Sequence, residues 1–376
     1  MKVPRFTGRL VALTRKETRQ MLRDRSNLFV GLLLPLALIM LFGFGLSFDV
    51  TNARLAVVVQ DNTPSVRDFV ARLYGSEYLA PSRVFSTHEA ENLMRAGRVD
   101  AILTIPADFS ADLAQGGARL QLLLNGVDSN SASSIEGYVS AAIAVQGALE
   151  LDRAGNNRTT TGGIVITQRT WFNEAGESTW FLVPGLIVLI MTLIGAFLTS
   201  LLVAREWERG TLEALFVTPV APIELVLSKL APYLVIGFVD LVMCLLAARW
   251  LFHVPMRGSL VVILLVSLLY LLVSLLIGLL ISATTRNQFA ASQMALLLSF
   301  MPALMLSGFV FDLRNVPVAV QLVSQILPAT HFMGLIKTLF MAGNNWPETF
   351  RTSAILGGYA FIMLLATRRA LRKRLE

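Results

Sequence analysis

One carboxylate, Asp240, stands near the middle of a long apolar run of this 376-residue chain. A charged group at bilayer depth costs at least about 2.5–3.5 kcal/mol, so its presence asks for a reason. Two readings fit: a carboxylate that lines a pathway or couples motions, or a side chain bonded to a hydroxyl of a neighbouring helix. Thr192, Thr199, Gln293, Met301 and Met305 lie in other apolar runs. They suit either the lining of an interior or ordinary helix contacts. A second group differs in kind. From Arg205 to Pro219 the chain carries Glu206, Glu208 and Glu213 with Arg205 and Arg209 around Gly210-Thr211, then turns apolar at Leu212, Leu215 and Phe216. Acids beside an apolar stripe at helical spacing make a recognition surface, not a reacting centre.

Other chemistries lack their residues. None of the five lysines (Lys2, Lys16, Lys229, Lys337, Lys373) follows glycine, so no phosphate-cradling loop of the Gly-Lys-Ser/Thr kind is encoded and the chain does not hydrolyse ATP alone. His88, His253 and His331 are far apart, and only His88 has carboxylates close by, Glu89 and Glu91. No second His or Cys joins them, so structural roles outweigh a metal site. No nucleophile elbow or zinc-protease helix appears. Cys244 is alone, which leaves no disulfide. The chain reads as no enzyme, with no cofactor of its own.

The elements that must position these residues are membrane helices. Hydrophobic residues make up 55% and charged residues 15%, against about 25% charged in soluble proteins. Segments 28–48, 180–204, 226–252, 260–281, 289–311 and, more weakly, 352–367 meet or approach the roughly 20 apolar residues a spanning helix needs. Backbone amides in lipid must bond internally, so these are helices. Eight basic against two acidic residues precede the first run, and 368–376 is basic through Arg368, Arg369, Arg372, Lys373 and Arg374. The positive-inside rule places both termini and the 205–225 connector in the cytoplasm. The net charge of +7 is therefore a topology signal and not a nucleic-acid footprint. Residues 1–27 predict an amphipathic interfacial helix with Glu17 on its apolar side; two readings fit, a positive-inside anchor alone, or an anchor whose Glu17 also meets a cytoplasmic partner. Lys229 and Arg249 lie near the ends of their span and snorkel to the headgroups.

Residues 49–179 read as an extracytoplasmic α/β domain. Strands fall at 54–60, 84–85, 100–105 and 120–124, and helices at 64–74, 88–96 (capped by Thr87), up to 115, and 131–156. The polar loop 159–163 and segment 164–168 return to the membrane, with Trp171 and Trp180 at its interface. Between 312 and 351, two apolar stretches broken by Pro328 predict a re-entrant helical hairpin before the sixth helix. The fold class is a mostly α membrane protein of six transmembrane helices with that insertion and that hairpin.

Four motifs carry a resemblance over nearly the whole chain. They are Leu13-Thr-Arg-Lys-Glu17 with Leu22-Arg-Asp-Arg25, Arg205-Glu-Trp-Glu-Arg-Gly-Thr-Leu-Glu213 with Thr218-Pro219, Leu306-Ser-Gly-Phe-Val-Phe311, and Leu327-Pro-Ala-Thr-His-Phe332. Together they resemble an ABC-2 type permease, the membrane subunit of an ATP-binding-cassette exporter, in its large-loop, drug-efflux-like subgroup. The resemblance implies a separate cytoplasmic ATPase that uses ATP and Mg²⁺ and docks on the 205–219 coupling helix. It further implies a second permease chain, an inner-membrane location, contact with membrane lipids and a periplasmic adaptor. The exported substrate would be hydrophobic or amphipathic. Two other classes fit parts of the pattern. A mechanical transmitter would have four spans, and a stand-alone secondary transporter would show repeated halves and several intramembrane charges.

Overall fold

The computed structural model describes residues 6–45, 52–76, 78–115, 118–125, 129–153, 177–310, 313 and 316–371. Segments 159–163 and 164–168, Trp171, Arg372, Lys373 and Arg374 lie outside the described residues, as do the side chains of Glu213 and Phe216. The chain divides into two compact units, Ser47–Gly176 and the remainder.

The smaller unit is built on a four-stranded sheet: β1 Ala53–Val59, β2 Leu79–Val84, β3 Ala101–Ile105 and β4 Gln121–Leu124. The strand order is β2-β1-β3-β4, with the first three parallel and β4 antiparallel to β3. Apart from Arg54 and Thr104, β1 and β3 consist of Ala, Leu, Ile and Val, because both their faces are covered over most of their length, as in any parallel sheet. Leu55, Val57 and Leu103 pack on one side with Val66 and Phe69 of helix α3 (Pro64–Tyr74) and Ile135 of α6 (Ser129–Arg153). Ala56, Val58 and Ile102 pack on the other with Ala90 of α4 (Thr87–Arg95). A short helix α5, Phe109–Gln115, follows β3.

Two local expectations shift. The cap of α4 is Ser86, whose side chain accepts the Glu89 N–H at 3.1 Å, and Thr87 is already helical. The strand expected at 84–85 occupies Leu79–Val84 instead, with Phe85 beyond it and exposed. Its Pro81 is tolerated because β2 is an outer strand, where a missing N–H breaks no ladder.

Buried Asp61 closes the ends of β1 and β3. It accepts from the N–H groups of Thr63 and Ser110, each at 3.0 Å, and from the Ser110 hydroxyl. The Ser110 hydroxyl bond, helped by the backbone donors and opposed by burial, holds its carboxyl below the usual range. Asp100 is lowered first by the Arg54 side-chain bonds, 2.7 and 3.0 Å long.

In the larger unit α7, Ser178–Glu208, is the axis. It is 83% buried over its apolar window, against 22% for α2 (Arg25–Gly45), for the 288–306 helix and for α15 (Trp346–Ala370), whose outer faces are left for lipid. α9 (Pro222–Leu246, extended by a π-turn over Ala247–Leu251) and α10 (Leu260–Thr285) complete the inner packing. The 288–306 helix is α11 (Gln288–Ala295) joined by the π-segment Leu296–Phe300 to α12 (Met301–Leu306). Among the described residues, six helices are thus long and apolar enough to cross a membrane. α15 is longer than the expected 352–367, because Asn345 caps it through the Glu348 N–H and Gly357-Gly358 do not interrupt it. α13 (Val318–Gln325) and α14 (Pro328–Met341) form a pair bent by 86°. Lys337 donates to the Gly308 carbonyl at 2.9 Å and Tyr359 to the Ile326 carbonyl at 2.6 Å, which holds this pair against α15 and the end of α12.

α7 and α10 approach closely because their contact residues are small. A Cβ on Gly195 would lie 2.8 Å from that of Ser274, and one on Gly278 would collide with the Ala196 carbonyl oxygen.

Gly278→Leu should therefore separate α7 from α10 and abolish the monodisperse fraction in detergent chromatography. A fragment of residues 47–176 should melt cooperatively on its own. Asp61 and Asp100 have lowered carboxyl values, so their contribution is complete above about pH 3.9 and disappears as pH falls through the folded-state values. Asp61→Asn should lower the melting temperature near pH 7 and flatten its decline on acidification, as followed by circular dichroism.

Candidate functional site: the connector and its ionic base

α7 continues four residues past the expected end at 204 and stops at Arg209-Gly210. Gly210 adopts φ +67°, a left-handed conformation that favours glycine and closes a helix C-terminus. A short helix follows, α8, Thr211–Phe216, and then Pro222 opens α9. The Glu224 side chain accepts the Ala221 N–H at 2.7 Å, capping α9 from within.

This end of the bundle is covered by helix α1, Phe6–Arg23, the amphipathic arm expected from the sequence. Charges join it to the bundle. Arg9 meets Glu224, which is fully buried, at 3.0 Å. Arg205 meets Asp24 at 2.5 Å and donates to the Gln288 side chain at 3.2 Å. At the centre, Lys229 of α9 lies 2.8 Å from Glu206 of α7 and 3.4 Å from Glu17 of α1. The 2.8 Å approach is an ion-pair contact and not an aligned hydrogen bond. Lys16 closes the cluster at 2.9 Å from Glu17 and 3.1 Å from Glu206. Glu17 and Glu206 are each 4% exposed and Lys229 1%. Burial alone would lower the Lys16 value; Glu17 and Glu206 outweigh it and raise the ammonium above its usual range. Glu208 accepts the Gln288 N–H at 2.7 Å, and Arg286 lies 4.4 Å over the Trp207 ring, fixing the α10–α11 turn to the end of α7.

The connector residues named from the sequence therefore divide. Glu208, Arg209, Gly210, Thr211 and Pro219 are exposed, and Leu215 is half-buried. Glu206 and Leu212 are not on the surface. Glu206 is held inside by two lysines, and Leu212, fully buried, packs into the core of its own bundle. Glu17 likewise finds its counter-ions within the chain. Lys229 does not snorkel, because α1 lies over it and two carboxylates wait beside it. Val217, 86% exposed, belongs to the same surface and was not singled out by its sequence context. The signal that could have found the cluster is a lysine inside one apolar span and a glutamate on the apolar side of another helix.

The mid-span residues do not converge. Thr199 donates to the Leu275 carbonyl at 2.9 Å and Thr192 pairs with the Tyr270 hydroxyl, so both lock α7 to α10. Gln293, Met301 and Met305 face outward. Asp240 is 2% exposed, and neither of its oxygens has a hydrogen-bond partner, nor has the Ser267 hydroxyl on α10. Lys229 is about 16 Å away along α9, and α10 has no charged residue. Among the described residues no group of three His, Cys, Asp or Glu could hold a metal ion.

Thr199→Val should lower stability by about 0.6 kcal/mol, the usual worth of an interhelical hydrogen bond in a membrane. Asp240→Leu should raise the melting temperature in detergent, because it removes a buried polar group that makes no hydrogen bond.

Comparison with known proteins fits this architecture. Residues 25–369 match the pattern of the ABC-2 family transporter proteins. The probable multidrug ABC transporter permease YbhS of Escherichia coli K12 is 39% identical over 339 residues, covering 89% of both chains. YbhR of the same organism, also described as a probable multidrug ABC transporter permease, is 31% identical over 89% of this chain and 90% of its own. The linearmycin resistance permease protein LnrN of Bacillus subtilis is 24% identical over 97% and 99%. A multi-pass helical bundle matched over nearly its full length in this way belongs to the ABC-2 family of transporter proteins.

Proposed function

We propose that this chain is the permease subunit of an inner-membrane ABC exporter, driven by a separate ATPase and moving a hydrophobic or amphipathic compound outward. The observation that carries the reading is the exposed strip formed by Glu208, Arg209, Thr211, Val217 and Pro219, which stands on the ionic base described above. A partner pushing on this strip meets a rigid body, since α8 is anchored by buried Leu212 and α7 by its ion pairs. The multidrug description of two relatives and the linearmycin resistance of a third support the substrate class.

In this reading the α1 end of the bundle faces the cytoplasm and the 47–176 unit lies outside. ATP and Mg²⁺ are bound by the ATPase. Closure of two ATPase subunits displaces the connectors of two paired permease chains, and the α7–α9 pair passes the displacement into the membrane. The compound moves because it binds the two resulting states differently. Asp240 serves as a polar group on its path. Gln293, Met301 and Met305, on the outward face of α11–α12, serve as contacts with the compound or the second permease. A periplasmic adaptor receives the compound on the far side.

The test is co-purification. Tagged chain should retain an ATPase through affinity and size-exclusion steps. Arg209→Glu combined with Val217→Asp should weaken that association about ten-fold or more, as loss of one or two hot-spot contacts does. Unchanged retention by this variant, or a parent chain that moves an amphipathic dye without an ATPase, would refute the reading.

A further inference from the structure

We infer that Lys229 is a positioning residue that makes α1, α7 and α9 move as one block, so that displacement of the connector is delivered to α1 as well as to the spans. The inference rests on the ATPase-facing reading of the connector and adds a residue and a route to it.

The argument is geometric. Lys229 is 1% exposed and touches carboxylates from both other helices, Glu206 of α7 at 2.8 Å and Glu17 of α1 at 3.4 Å. Apolar faces slide past one another with little directional penalty, because burial is non-directional. A buried ion pair cannot slide, because separation leaves a charge in an apolar medium. The other lysine, Lys16, has nearly half its side chain exposed and reaches the cluster from the surface. Lys229 is thus the buried cation common to the three helices. Arg9 to Glu224 and Arg205 to Asp24 place a further tie on each side of it along the same seam, the first from α1 and the second from the residue that follows α1.

The charges also divide evenly along that seam. α1 contributes Lys16 and Glu17, and the bundle contributes Glu206 and Lys229. Each half is neutral, so each can be removed by a neutral double substitution that leaves the other half paired. This yields two variants that cut the tie without burying a net charge: Lys16→Met with Glu17→Gln, and Glu206→Gln with Lys229→Met.

The experiment uses the full chain with its co-purifying ATPase in lipid nanodiscs, read by hydrogen exchange before and after addition of ATP and vanadate. In the parent, exchange should change together in residues 205–219 and in residues 6–23. In both variants 205–219 should still respond, while the response of 6–23 falls at least about five-fold, the low end of ordinary coupling energies. A parental response of 6–23 in either folded variant overturns the inference. If the bundle-side variant does not insert, the α1-side variant carries the test alone, since it leaves the spans untouched. If no ATPase accompanies the parent, or 205–219 ignores ATP, the functional reading fails. Exchange of 6–23 in the resting chain then decides the tie: acceleration in the variants supports it, and parental protection overturns it.

Discussion

Removing a lysine ammonium from water costs several kcal/mol unless carboxylates replace the water around it. Lys229 meets this demand with partners from two other helices, Glu17 and Glu206. The rest of one end of the bundle follows from that requirement. α1 must lie across α9 to bring Glu17 inward. α7 must run on past the bilayer-length segment to bring Glu206 to the same place. The connector can begin only after that point, at Gly210. Exposed residues of the connector are carried on a helix that the buried ones have already fixed.

The remainder of the bundle obeys a different constraint. Lipid supplies no hydrophobic force between helices, so close packing and interhelical hydrogen bonds must hold them. α7 answers with Gly195 against Ser274 and with Ala196 against Gly278. The Thr199 hydroxyl bonds to α10, and the Ser282 hydroxyl accepts the N–H groups of Val203 and Ala204 at 2.9 Å. The polar residues that looked like pathway lining in α7 are spent on this contact. What stays unbonded at mid-depth, Asp240 and Ser267, lies on α9 and α10 instead.

Much of the architecture is legible in the sequence because its signals are local. Apolar length announces each span, helical periodicity announces α1, and alternation of strands with capped helices announces the α/β unit. The connector is legible for the same reason: its charges interrupt two apolar runs. The direction each charge faces is not legible. Glu206 and Glu208 are two residues apart in one charged cluster, yet one is buried by lysines and the other exposed. That difference is settled by α1, whose Glu17 precedes Lys229 by 212 positions. Leu212 looked available to a partner because an amphipathic stripe does not say which body covers it. The cap of α4 and the bounds of β2 missed by one or a few residues, since Ser86 and Thr87 are adjacent and both of capping type, and an outer strand accepts a proline.

That proline has a consequence for assembly. An outer strand offers a row of unused amide hydrogens, onto which another chain can be stitched. β2 interrupts its row at Pro81 and turns the charged Arg83 outward, while β4 at the opposite margin is only four residues long. Crowded side by side in a membrane, neighbouring copies therefore find little purchase for fusing their sheets into a continuous ribbon, and their α/β units stay separate bodies.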